Sequence, residues 1–293
     1  MTRARRAPHC QLRHQCGILP HIVDRRKSWL RRLVPREVDE LIDRIPKPVG
    51  TFGYDPWGYH ADDLKLGLSL ARWLYEHYFR VVANGLENIP VEGRALVIAN
   101  HSGQLPIDGL LIGMAIATNP RGPRAARAMV ERFLPTVPYV GNLLNAWGAV
   151  LGDPVNCIRL LKREEVVIVF PEGVRGSGKP YRDRYQLQRF GHGFMHIAMT
   201  HRAPIIPVGV VGCEETIPSA GNFESLARLL KAPYIPIAVP FPLPARVTLN
   251  FGEPMYFDGD VANEDEVHDR VEQVKTRLRE LIDRGLSERT SIF

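Results

Sequence analysis

The chain reads as an α/β protein: a single layered domain with a central, mostly parallel sheet flanked by helices. Three observations predict this. Short apolar runs of strand length recur along the chain, among them "RALVIAN" (94–100), "VVIVF" (166–170) and "PIIPVGVVG" (204–212). Segments with helical spacing of apolar residues lie between them, and such alternation favours parallel pairing with helices packed on the sheet. There is no internal repeat and no convincing linker between domains, and 293 residues suffice for one large core.

Taken in order, residues 1–36 form a basic arm, 37–79 an amphipathic helical segment, and 80–293 the α/β domain. Val38, Leu41, Ile42 and Ile45 keep helical spacing just after Pro35, with Trp29, Leu30, Leu33 and Val34 ahead of them. Two readings of 28–45 stand side by side, a helix packed on its own domain and an anchor lying in a membrane interface. "TFGYDPWGYH" (51–60) reads as an aromatic, turn-rich linker. Asp62 and Asp63 are placed to cap a helix whose later face is Leu66, Leu70, Trp73, Leu74 and Tyr78. Strands are expected at 80–86, 94–100 and "ARAMVE", with a helix from Asp108 to about Ala117 between the last two. A helical stretch into "LLNAW", the strand "GAVLG", a helix over 155–163 and the strand "VVIVF" follow. A helix near 191–201, the strand at 204–212 and a late strand in "RVTLNFGEPM" (246–255) precede a closing helix over 262–285. That helix carries Val267, Val271, Val274, Leu278 and Leu281 on one face.

Charge narrows the function classes. The chain is basic, with a pI near 9.2, but the excess sits in residues 1–36, where ten Lys or Arg face one acid, Asp24. The arm carries +9 of a net +6, so the remainder is −3. A folded body that is mildly acidic argues against a nucleic-acid partner, and the arm predicts attraction to an anionic membrane surface. Four scattered cysteines argue against a disulfide scaffold and for a reducing compartment. "HCQLRHQC" brings His9, Cys10, His14 and Cys16 together, but without paired zinc-ligand spacings, so no metal is expected. No run of about 18 apolar residues predicts a membrane-spanning helix, and no signal peptide is expected. The tract "APYIPIAVPFPLPA" (232–245) is cut by five prolines and is read as an edge, a wall of a lipid tunnel or a loop dipping into a bilayer surface. The expected location is peripheral, on the cytoplasmic face of the membrane.

Two stretches carry chemistry. "FPEGVRGSGKP" (170–180) contains Gly173-x4-Gly178-Lys179, which approaches a nucleotide phosphate loop. A working loop places Ser or Thr after the lysine to ligate Mg²⁺, and here Pro180 offers neither hydroxyl nor N–H. What remains is a glycine-rich basic loop, with Arg175, Lys179, Arg182 and Arg184, suited to an anion or to a solvated turn. "VIANHSGQLPIDG" (97–109) puts His101 just past a strand and Asp108 at the start of a helix. A histidine so placed can take a proton from a hydroxyl, with the carboxylate holding its tautomer; a purely structural His–Asp bond is the alternative.

Together these stretches resemble the glycerolipid acyltransferase family, the glycerol-3-phosphate and lysophosphatidate acyltransferases. Its N-H-x4-D block corresponds to Asn100-His101 with Asp108, its F-P-E-G block to Phe170-Pro171-Glu172-Gly173, and its proline-containing strand to Ile205-Ile206-Pro207-Val208. The order is kept across residues 80–255, about 60% of the chain. Two departures stand out. Six residues separate His101 from Asp108 where the family has four, and "GAVLGDP" (148–154) lacks the arginine that in the family meets an acceptor phosphate.

The resemblance implies transfer of a fatty acyl group from an acyl-CoA or acyl carrier protein thioester to a hydroxyl of a lysophospholipid, glycerol phosphate or acylglycerol. His101 is the implied general base and Asp108 its partner. Backbone amides near Ser102 and Gly103 are candidate donors to the oxyanion. Phe170, Pro171, Glu172 and Gly173 are implied to position the acceptor, and Arg175 and Lys179 to meet anionic groups. No bound cofactor is implied beyond the thioester co-substrate. The alternatives are a thioesterase or esterase using the same base with water, and a non-catalytic membrane lipid-binding protein. A serine-hydrolase elbow, G-x-S-x-G, is absent from the sequence.

Overall fold

The computed structural model describes residues 34–45, 53–102, 105–132, 140–223 and 236–293. Most of the basic arm, the cysteine–histidine cluster at 9–16, Trp29, Leu30, Leu33, Gly103 and the start of the proline-rich tract lie outside the described residues. Among the described residues, seven strands form one sheet: β1 (Val82–Asn84), β2 (Ala95–Ala99), β3 (Ala126–Val130), β4 (Val150–Leu151), β5 (Val166–Val169), β6 (Ile205–Val211) and β9 (Thr248–Phe251). Their order is β1-β9-β6-β2-β5-β3-β4. The remaining two, β7 (Ser219–Asn222) and β8 (Pro236–Ala238), make a separate antiparallel pair.

Every pairing in the large sheet is parallel except β6 with β9. At the centre, Val97 of β2 lies opposite Ile168 of β5 on one side and Ile206 of β6 on the other. All five residues of β2 are buried, as expected for a parallel strand covered on both faces. The period-2 alternation assigns the faces. Ala95, Val97 and Ala99 pack with Leu111, Ile112 and Ile116 of helix α3 (Ile107–Ala117), whereas Leu96 and Ile98 join the opposite core. That core is completed by α5 (Pro154–Lys162), α7 (Gly193–His201) and the long α9 (Glu264–Glu288). The sheet is thus the middle of three layers.

Local signals account for the helix starts. Asp153 caps α5, its side chain accepting from Val155 N, with Pro154 in the first turn where a missing N–H costs nothing. Asn263 caps α9 by accepting from Glu266 N. Helix α2 (Ala61–Trp73) departs from expectation: His60 occupies its N-cap without a side-chain cap bond. Asp62 and Asp63 sit in the first turn instead, where their charge favours the helix dipole.

An outer tier covers α3. Helix α1 (Arg36–Asp43) buries Val38 and Ile42 against Leu64 and Leu68 of α2, and this cluster continues onto Met114 and Ala117 of α3. Lys65, largely buried, joins the two outer helices by pairing with Asp39 and with Asp43 at 2.8 Å. The described part of 28–45 therefore packs on its own domain. The aromatic linker is also tied down. Buried Arg127 of β3 donates to Asp55 at 2.6 Å and to Glu165 at 2.8 Å, and its guanidinium lies 5.1 Å from the Tyr59 ring centroid. A buried charge with two carboxylate partners and an aromatic face holds this linker against the sheet.

Candidate active site

Because β2, β5 and β3 are adjacent and parallel, the residues just past their C-terminal ends meet along one edge. His101 follows β2, the 170–180 loop follows β5, and Glu131 follows β3. Parallel α/β sheets place ligand crevices at this edge.

His101 Nδ1 lies 2.7 Å from Asp108 Oδ2. The six intervening residues loop out while both anchors stay in place: His101 at a strand end, Asp108 in the first turn of α3. Asp108 is fully buried, and it also accepts from Ser102 N at 2.9 Å and from Gly109 N at 2.7 Å. An ionised carboxylate only accepts, so Nδ1 carries the ring proton and Nε2 keeps a lone pair. Burial alone would lower the His101 pKa, but the Asp108 charge and hydrogen bond, then Glu172 and Glu131, outweigh it and hold it above its ordinary 6.5. The Phe170 ring stacks on the imidazole, centroids 4.4 Å apart and planes at 26°.

The Glu172 carboxylate is turned inward and does not line the cavity that opens at His101. It is buried, with one oxygen accepting from His101 N at 2.9 Å and the other from Gln188 N at 2.7 Å. The first bond joins the two motif loops and the second ties the 170–180 loop to the segment ahead of α7, so the Glu172 carboxylate holds the His101 backbone. Gly173 adopts φ 56°, ψ −144°, a region open essentially to glycine. Gly176 is required for a different reason: a β-carbon there would lie 2.8 Å from the β-carbons of both Glu172 and His101. Pro171 contributes through its carbonyl, which accepts from Gly191 N at 3.0 Å.

Two expected anion binders point elsewhere. Lys179 is buried in an ion pair with Glu214 at 3.0 Å and also donates to the Gln186 carbonyl. This engages the amine that a phosphate loop would aim at nucleotide. Arg175 is exposed and donates to the Arg189 carbonyl at 3.3 Å. The Ser102 amide, a candidate oxyanion donor, is engaged by Asp108, and Gly103 lies outside the described residues.

A cavity of about 340 Å³ opens at His101 and runs between α3, β3 and the start of α2. Its walls are mostly apolar, with Leu68, Met114, Trp147, Ile168 and Phe194 among them. Phe170 and Gly173 lie beside His101 in the lining, whereas Glu172, Arg175 and Lys179 do not line it. Gly113 of α3 also faces this space: nothing lies within 4 Å of where its β-carbon would be. Sequence reasoning missed Glu131 and Asp153 as lining residues: Glu131 belongs to no motif, Asp153 stood out only within "GAVLGDP" as the block without an arginine, and only the sheet order brings them to the cavity. Gly176 carried no signal of its own, since it lies inside the Gly173-x4-Gly178-Lys179 spacing and is not one of its fixed positions. Among the described residues no His, Cys, Asp and Glu cluster suited to a metal is present, and no helix is long and apolar enough to cross a membrane.

The family model described as Acyltransferase matches residues 80–211, which contain both motif loops. An uncharacterized protein of Mycobacterium tuberculosis (strain ATCC 25618 / H37Rv) is 35% identical over 259 residues, covering 84% of this chain and 71% of the relative. The chain belongs to the glycerolipid acyltransferase family. A human relative, the "DGAT1/2-independent enzyme synthesizing storage lipids", is 29% identical over 207 residues, covering 69% of this chain and 60% of that protein. The crystal structure of the 1-acyl-sn-glycerophosphate acyltransferase from Thermotoga maritima superposes with a TM-score of 0.50 at 23% identity, covering 78% of this chain and 83% of that one. This likeness supports the acyltransferase fold, a mostly parallel sheet of seven strands between helices.

Proposed function

We propose that this acyltransferase moves a fatty acyl group from an acyl-CoA or acyl carrier protein thioester to a glycerolipid hydroxyl, with His101 as general base. The observation that carries the reading is the His101–Asp108 pair, 2.7 Å apart, at the opening of an apolar cavity. The acceptor hydroxyl approaches Nε2 and attacks the thioester carbonyl carbon as its proton passes to the ring. A C–O bond forms, the tetrahedral intermediate collapses, the C–S bond breaks and the thiolate leaves with the proton returned by the imidazolium. Asp108 favours the imidazolium that forms in between, and Phe170 limits where the ring can lie. The acyl chain occupies the cavity, whose volume is within the range of small-molecule sites.

Residues 1–36, with ten Lys or Arg, support peripheral attachment to an anionic cytoplasmic membrane surface, where acceptor and donor meet. Incubating purified protein with labelled acyl-CoA and a panel of lysolipids and acylglycerols tests the reading. Labelled lipid as the product is expected. Labelled free fatty acid as the main product would make the protein a hydrolase.

A further inference from the structure

Apart from the Cys157 thiol, which burial keeps neutral by pushing its pKa up to about 11, three ionisable side chains line the cavity, and their signs bear on the acceptor. They are His101, Glu131 and Asp153; no Lys or Arg lines it among the described residues. Glu131 comes up against the 170–180 loop, with Oε1 3.2 Å from where a β-carbon on Gly173 would lie, and no cation pairs with it among the described residues. Its charge is felt at His101, whose affinity for a proton it helps to raise. Arg132, next in sequence, lines a separate surface depression with Trp57. The start of α5 also lines the cavity, and a helix N-terminus ordinarily attracts anions. Here Pro154 has no N–H and the Val155 amide is engaged by Asp153 at 2.8 Å, so the protein's own carboxylate fills that position.

Resting on the acyl-transfer reading, we infer that the acceptor is an uncharged acylglycerol and that Glu131 and Asp153 exclude acceptors bearing phosphate. A phosphate monoester carries about −1.5 to −2 charge near neutral pH. In a glycerophospholipid the phosphate is the charged group nearest the reacting glycerol hydroxyl, so a hydroxyl placed at Nε2 brings it to a cavity whose carboxylates, Glu131 and Asp153, have no Lys or Arg beside them in the lining among the described residues. A zwitterionic headgroup does not escape this, because its cation lies beyond its phosphate. The thioester donor does escape: its phosphates are separated from the reacting carbonyl by the uncharged pantetheine arm. Like-charge juxtaposition is a means of rejecting one substrate without improving another.

The test uses the full chain in mixed micelles with one labelled acyl-CoA. Monooleoylglycerol, oleoyl-lysophosphatidate and lysophosphatidylcholine are offered separately at matched surface fraction. The wild type is expected to favour monooleoylglycerol over either phospholipid by about tenfold or more in kcat/KM. Glu131→Lys should move that ratio towards lysophosphatidate by about tenfold, and Glu131→Gln with Asp153→Asn should move it the same way by less. Asn keeps the helix cap, and a ratio of two acceptors on one enzyme is insensitive to partial loss of folded protein. A wild-type preference for either phospholipid, or a ratio unmoved in the variants, overturns the inference while leaving acyl transfer standing. Labelled free fatty acid with no labelled lipid from any acceptor overturns acyl transfer itself, and this inference with it.

Discussion

At the scale of single residues, the His101–Asp108 pair was legible in the sequence because both anchors sit at element ends. A strand terminus and a helix start fix the two side chains, and the loop between them absorbs its two extra residues. The Glu172 role was not legible. Motif membership suggested substrate contact, whereas the carboxylate has the His101 and Gln188 amides as partners at 2.9 and 2.7 Å. A 71-residue separation in sequence hides the first of these bonds. The electrostatics of the pair give a prediction about pH. The raised pKa keeps His101 protonated to higher pH, so the base form appears, and kcat/KM rises, through a midpoint above 6.5. In Asp108→Asn the main upward influence is gone and burial then dominates, so the residual activity should show this limb at lower pH than in wild type. A pH–rate profile of both proteins checks it; a limb that stays put or moves upward contradicts the assigned partner.

At the scale of elements, the alternation of strand and helix was readable from apolar periodicity, and β2, β5 and β6 appear where unbroken apolar runs stood. Direction and pairing were less readable. The antiparallel β9 and the β7–β8 pair depend on partners distant in sequence, and periodicity does not reveal pairing partners. The described part of the aromatic linker is turn-rich as read, but its tethering was not legible, because the bond from Arg127 to Asp55 spans 72 positions. Two glycines, which sequence treats alike, have opposite consequences. Gly176 sits where a β-carbon meets His101 and Glu172 at 2.8 Å, so Gly176→Ala should destabilise by about 1–3 kcal/mol and lower kcat by loosening the pair. Urea unfolding with activity measurement checks both effects. Gly113 faces open cavity, so Gly113→Leu should leave stability within about 1 kcal/mol of wild type while filling the space proposed for the acyl chain. Rates across thioesters of increasing chain length should then fall selectively for the longer chains. Equal rates across lengths would argue that the chain lies elsewhere.

At the scale of the whole molecule, charge is divided between a strongly basic arm and a slightly acidic body, and this division was plain from the sequence. The layered fold then separates tasks: the parallel sheet gathers His101, Glu131 and the 170–180 loop at one edge, while α1 and α2 cover α3 from outside. Deleting residues 1–33 removes nine of the ten arm cations and leaves the described fold untouched. Co-sedimentation with anionic liposomes should then fall in low salt and show little further salt dependence, since each basic residue near such a surface contributes about 1 kcal/mol. Undiminished sedimentation would point instead to the proline-rich tract at 232–245. The central claim, however, is that a lipid hydroxyl is acylated with His101 as base. Its most direct test is the rate of labelled lipid formation by wild type and His101→Ala, with the melting temperature recorded for each. Loss of about 10²–10⁴ in rate with a melting temperature close to wild type is the expected result. A His101→Ala protein that forms acylated lipid at a rate near wild type would contradict it.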